Sequence, residues 1–137
     1  MSVFRLRIAT PAAILVEEAG AASLRAEDAS GGFGLLGGAA DLVTALPASV
    51  VAWRGDSGGW LYCAIGGGVL TARGGVRVDI ACRQGVIGDD LAKLRRQVEA
   101  MRQAELDAAR RARVESTRLH ARAVRQLMRL LGQEAVR

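Results

Sequence analysis

Arg118, Arg122, Arg125 and Arg129 step along the chain by four, three and four residues. On a helix that spacing lines them on one face, where each pair of like charges costs roughly a few tenths of a kcal/mol. The wider segment from Arg110 to Arg129 adds Arg110, Arg111 and Arg113, and its only acid is Glu115, so twenty residues carry a net charge of +6. Two readings fit such a row. One is a solvated helix face. The other is a docking surface for carboxylates on a protein, or for phosphates on nucleic acid or anionic lipid.

Other residues resemble catalytic or binding motifs and fail on inspection. Gly55-Asp56-Ser57-Gly58-Gly59 matches the nucleophile motif of trypsin-like serine proteases letter for letter. A triad needs a histidine base beside the serine, and the only histidine is His120, inside the basic segment. A glycine-rich turn between Arg54 and Trp60 is the expectation. Ser30 to Gly38 is glycine-rich like a phosphate loop but lacks its Gly-Lys-Ser/Thr ending, Lys93 being the single lysine. A structured surface loop is expected there, of the kind that makes contacts. Cys63 and Cys82 lack metal-like spacing, and His120 has no second ligand near it, so neither a metal site nor a cofactor is expected. The chain offers no acid/base or nucleophile set and reads as a non-enzyme.

These residues sit in two chemically different halves. Of the 137 residues, 1–88 hold 7 basic and 7 acidic side chains, 16 of the 17 glycines and every aromatic. Residues 89–137 hold 12 basic and 7 acidic groups, the whole excess of +5. An apolar fraction of 50% excludes a disordered chain. The longest uncharged run, Ser57 to Ala72, is sixteen residues laced with glycine, short of the ~20 apolar residues of a membrane-spanning helix. Two unpaired-looking thiols suit a reducing compartment. The start, Arg5 and Arg7 followed by Ile8 to Val16, mimics a signal peptide, but Pro11 interrupts it.

The first 88 residues predict an all-β sandwich or barrel of short strands. Val3 to Ile8 alternates apolar and polar with period two. Ala13 to Glu17, Ala22 to Glu27, Val50 to Arg54 and Trp60 to Ile65 follow. Gly66-Gly67-Gly68 is read as a turn into Val69 to Arg73, and Gly74-Gly75 as a turn into Val76 to Cys82, with Val76, Val78, Ile80 and Cys82 on one buried face. Residues 89–137 predict helix. Asp89 to Leu131 contains no glycine, proline or asparagine, Asp89 or Asp90 can cap the start, and Gly132 is a natural stop. The apolar stripe Leu91, Leu94, Val98, Met101 thins to alanine and weakens near Ser116-Thr117, so a helical hairpin and one helix of ~65 Å, at 1.5 Å per residue, both remain open.

Together these segments resemble the epsilon-subunit family of bacterial F-type ATP synthases (delta in mitochondria). The likeness runs through Leu6-Arg7-Ile8-Ala9-Thr10-Pro11, through Ser30 to Ala40 continuing into Leu42-Val43-Thr44-Ala45-Leu46, through Gly67-Gly68-Val69-Leu70, and through the helical tail after Gly88. The resemblance implies a sandwich of about ten strands followed by a two-helix domain. It implies a non-catalytic rotor part of the central stalk, peripheral to the cytoplasmic face of the bacterial inner membrane, in an enzyme that couples ion transport to ATP synthesis. Its implied partners are the gamma subunit, the membrane c-ring and the beta subunits of the catalytic head. By position, Gly31, Gly32, Phe33, Gly34, Leu35, Gly38, Ala39 and Asp41 would form the ring-facing loop. Arg110, Arg111, Arg113, Arg118, Arg122, Arg125 and Arg129 would meet beta-subunit carboxylates and block hydrolysis.

Two departures from the family pattern stand out. Ala39 replaces the loop histidine. Leu91-Ala92-Lys93-Leu94-Arg95-Arg96 lacks the aspartate and terminal alanine of the ATP-binding pattern found in some members, so weak or absent ATP sensing is expected. The alternative function is a β-domain adaptor whose basic arm binds nucleic acid or another acidic partner. Stacking aromatics beside the charge, which such a role calls for, are missing from the arm. A membrane-surface helix would favour Trp or Phe anchors, and 110–130 has neither.

Overall fold

The computed structural model describes residues 2–56 and 58–136, with side chains through residue 132. Seven strands precede one helix: β1 (Phe4–Ala9), β2 (Ile14–Asp28), β3 (Gly31–Leu36), β4 (Leu42–Gly55), β5 (Leu61–Arg73), β6 (Arg77–Cys82), β7 (Gly85–Gly88) and α1 (Leu91–Val136). The strands hydrogen-bond in the order β1-β6-β5-β4-β2-β3, β7 pairs with β5, and β1 also pairs with β2. That last pairing closes the sheet on itself as a barrel-like sandwich. All pairs are antiparallel except β1–β6.

Seven strands form the sandwich, and two of the long ones, β2 and β5, change partner along their length. β2 pairs with β1 over Ile14 to Ala21 and with β3 over Ser23 to Asp28. β5 pairs with β7 over Tyr62 to Ile65 and with β6 over Gly68 to Arg73. The run Gly66-Gly67-Gly68, read from sequence as a turn, lies inside β5 at this hand-over. A Cβ on Gly68 would sit 2.3 Å from the Ala81 carbonyl oxygen, and one on Gly66 would sit 2.5 Å from the Gln84 side chain. The glycines are there for close approach, not reversal. β7, four residues long, was not expected, and Val76 is exposed just outside β6, while Val78, Ile80 and Cys82 are buried. The turn between Arg54 and Trp60 includes Ser57, which lies outside the described residues.

The alternation in β1 does what period two requires: Phe4, Leu6 and Ile8 are buried, joined by Leu24, Val51, Trp53, Ile65, Leu70 and Ile80 in the main core. A second, smaller cluster lies on the outer face of β4–β5. There Leu94, Val98 and Met101, at helical spacing, pack on Ala48 and Ala64, flanked by Val50 and Tyr62. The Arg102 guanidinium donates to the Ala48 carbonyl at 3.1 Å.

Asp90 caps α1. Its Oδ1 accepts from the amides of Ala92 and Lys93 at 3.1 and 3.3 Å. No break follows. Among the described residues α1 is the single helix, in place of the two implied by the family likeness: Thr117 donates its hydroxyl to the Arg113 carbonyl at 2.9 Å, a bond within the helix, and so does not cap a new one. Gly132 does not end the helix either. Glycine costs about 1 kcal/mol relative to alanine in a helix interior, too little to stop a run of good helix formers. By compactness the chain divides into residues 1–102, the sandwich with the first turns of α1, and residues 103–137.

Candidate functional site

Two surfaces carry the sequence-predicted site residues, one in each unit. The first is the segment from Gly31 to Asp41. Expected as a loop, its first six residues are instead strand β3, paired with β2 from Asp28↔Gly31 to Ser23↔Leu36. A tight reversal at Ala29-Ser30 makes this possible. The Asp28 carboxylate accepts from the Ser30 amide and hydroxyl and, at 2.9 Å, from the Thr44 hydroxyl. These bonds, the Ser30 hydroxyl first, hold the Asp28 carboxyl below its ordinary range. Gly31 then leaves the turn at φ 117, a conformation that suits glycine.

Strand geometry splits the predicted residues between two faces. Phe33 and Leu35 turn inward, Leu35 buried in the core and Phe33 packed against it, as Ala39 is. Gly31, Gly32, Gly34, Gly38 and Asp41 are exposed. So is Leu36, at 65%. Alternation beside the inward Leu35 places the Leu36 side chain outward. The segment is also clasped to the β5–β6 hairpin. Gly74 donates its amide to Asp41 Oδ1 at 2.8 Å, and Gly38 donates to the Gly75 carbonyl. Gly74 and Gly75 therefore belong to this surface, which no spacing within the segment could disclose.

The second surface is the run of arginines in residues 103–137. Arg110, Arg111, Arg113, Arg118, Arg122, Arg125 and Arg129 are all exposed on α1. Arg110 lies 3.9 Å from the Asp107 carboxylate, Arg111 donates to the Asp107 carbonyl, and Arg125 donates to the Ala121 carbonyl. Arg113, Arg118, Arg122 and Arg129 have no side-chain partner among the described residues. The arginines are exposed along α1, and those four keep their side-chain donors available. Exposed Leu119, Leu127, Leu130 and Leu131 accompany them on the helix.

Neither surface contains a nucleophile with a base. The thiols are core groups: burial pushes the Cys63 thiol up to about 11, with proximity to Cys82 adding to the rise, and burial also raises Cys82. No group of three or more His, Cys, Asp or Glu that could hold a metal exists among the described residues. Nor is any described helix long and apolar enough to cross a membrane.

The family model for the beta-sandwich domain of the ATP synthase delta/epsilon chain matches residues 3–87. The chain belongs to the ATP synthase delta/epsilon family. It is similar to the "ATP synthase epsilon chain 2" of Cereibacter sphaeroides, at 55% identity over 126 residues, 92% of this chain and 86% of that one. It is also similar to the "ATP synthase epsilon chain 2" of Paraburkholderia xenovorans, at 53% identity, covering 93% of this chain and 91% of that one. Among solved structures, a chain of the Euglena gracilis mitochondrial ATP synthase, in an OSCP/F1/c-ring assembly, superposes with TM-score 0.61 at 20% identity, covering 75% of this chain and 66% of that one. A chain from the central stalk and c-ring of the Tetrahymena thermophila mitochondrial enzyme gives 0.52 at 13% identity, covering 76% and 98%. These two likenesses establish the fold. Membership makes this delta/epsilon chain a non-catalytic ATP synthase subunit and accounts for the missing catalytic set.

Proposed function

We propose that this subunit is a rotor part of the central stalk that couples gamma to the c-ring, at the cytoplasmic face of a bacterial inner membrane. The observation carrying this is the two-part architecture: a closed sheet with a clasped, exposed glycine segment, followed by an unbroken basic helix. In this reading residues 1–88 are the stalk-foot domain and 89–137 the regulatory one. Gly31, Gly32, Gly34, Gly38 and Asp41, joined by Leu36, present the ring-facing surface. Phe33, Leu35 and Ala39 support it from inside. Glycines there let a partner's backbone approach closely, and the clasp to Gly74 and Gly75 keeps the surface stiff enough to transmit torque.

The arginine stripe is the candidate brake. Guanidinium groups pair with carboxylates through two parallel N–H···O bonds. Exposed pairs contribute only about 0–1 kcal/mol each, so a row of them binds while remaining releasable. ATP sensing is weak in this reading, because the pattern that supports it is broken at Leu91 to Arg96.

Truncation after Arg102 tests the brake. It retains Leu94, Val98 and Met101 on the sheet and removes every arginine of the stripe. The truncated subunit should still co-purify with gamma and ring components, and the complex should hydrolyse ATP faster. Unchanged hydrolysis would assign the arginines to assembly, loss of gamma would sink the stalk reading, and tight ATP binding by the isolated subunit would overturn the sensing claim.

A further inference from the structure

The guanidinium groups of Arg25 and Arg54 both stack on the Trp60 ring, at 4.8 and 5.0 Å from its centroid. We propose that this Arg25–Trp60–Arg54 cluster is an anchor for an acidic segment of a partner protein, taking a carboxylate across the free edges of the two guanidinium groups.

The sheet register builds the cluster. Ser23 pairs with Arg54 and Arg25 with Ala52, so the two arginines lie two residues apart in register, on adjacent strands. Trp60, just before β5, supplies the ring. Both arginines are exposed and Trp60 is half-buried. Like charges gathered at one ring repel each other, and the indole compensates by attracting each cation. Stacking occupies only the flat face of a guanidinium. Its five N–H donors point outward in the plane and stay available.

Those donors are unused. Neither the Arg25 nor the Arg54 side chain has a hydrogen bond or ion pair among the described residues. The same sheet treats another arginine pair differently: Arg5 and Arg7 both bond Glu17, and Arg7 reaches its carboxylate at 2.8 Å. The chain thus bridges one pair with an internal carboxylate and leaves the other without one, beside an aromatic. Arginine with tryptophan is the composition enriched where partner chains bind most tightly. Two fixed forks match the planar geometry of a carboxylate, and a protein segment also brings apolar surface for the indole and for exposed Leu61, where a free anion would not. Pre-stacking lowers the ordering cost of two long side chains.

The test rests on the stalk reading, since it uses the assembled complex. Complexes carrying the wild-type subunit, the Arg25→Glu/Arg54→Glu pair and the Arg25→Lys/Arg54→Lys pair are washed in rising salt. The expected result is that the glutamate pair dissociates with about tenfold or greater loss of affinity and the lysine pair falls between. Thermal melting of each isolated subunit reports folding, and the lysine pair serves if charge reversal disturbs it. A photo-reactive benzoylphenylalanine in place of Ser23 should crosslink to a partner peptide containing Asp or Glu. Salt profiles identical to wild type would overturn the proposal, as would crosslinks confined to lipid, to nucleotide or to peptides without a carboxylate. If wild type itself fails to co-purify with gamma, the stalk reading falls, and the carboxylate content of the Ser23 crosslink alone decides the anchor.

Discussion

The amide of Gly38 donates to the carbonyl oxygen of Gly75 at 2.7 Å. This bond ties the connection after β3 to the β5–β6 hairpin, and it requires two backbones to lie nearly in contact. A Cβ on Gly75 would sit 2.8 Å from the Gly38 Cα, at a backbone φ of +72. Gly75→Ala should therefore destabilise the sandwich by about 1–3 kcal/mol, read as a lower urea midpoint of Trp53 and Trp60 fluorescence. Gly132→Ala, where the added methyl meets nothing within 4 Å, should leave that midpoint in place. Equal midpoints for Gly75→Ala and wild type would mean the clasp is loose in solution.

The Glu17 carboxylate should stay ionised far into acid. Hydrogen bonds from Arg5 and then Arg7, with the Arg7 charge, lower its pKa from 4.5 to about 2. A depressed folded-state value means that the contribution is fully present above the unfolded value and fades as pH falls through the folded one. The stability gap between wild type and Glu17→Gln should thus hold above pH 4.5 and close toward pH 2. The carboxyl carbon, followed by NMR, should titrate near the lower value. A midpoint at the ordinary glutamate value would dissolve the bridge.

Truncations along α1 should divide sharply by position. Leu94 is buried against the sheet and Leu127 is exposed. Leu94→Ala should cost about 2–4 kcal/mol in the isolated subunit. Leu127→Ala should change its stability by no more than about 0.5 kcal/mol. A large effect at Leu127 would reveal packing by the last turns.

Both thiols should be silent toward a thiol reagent at pH 8 until the sheet opens. Burial raises Cys63 and Cys82 alike, which keeps them protonated and screened. Two equivalents should react after denaturation and none before. Prompt labelling of the native subunit would show that β5 and β6 part readily.

Legibility in the sequence followed the range of the interactions involved. β1, β6 and the cap at Asp90 depend on neighbours within a few residues, and their alternation and residue types disclosed them. The arginine stripe was equally plain, since four-and-three spacing needs only a helix to become a face. The failures were long-range. Whether Gly66 to Gly68 turns or continues depends on Ala81 and Gln84, which no local pattern announces. β7 is four residues whose strand character comes from pairing with β5. The segment after Ser30 looked like a loop because glycine dominates it, and only pairing with β2 reveals that Leu35 points in and Leu36 out. The sequence left a hairpin and a single helix equally open, and the deciding detail was the local bond of Thr117 to Arg113.

Closure of the sheet through β1 and β2 also bears on the free subunit before assembly. Open strand edges are templates on which identical chains polymerise. In the strand order β3 and β7 are end strands, six and four residues long, and each begins with glycine; β4 also leaves one side unpaired from Leu42 to Val51, where Pro47 interrupts the edge. β5, by contrast, has partners on both sides over most of its length. Newly made copies awaiting their partners therefore offer one another only edges that are short or broken by a proline.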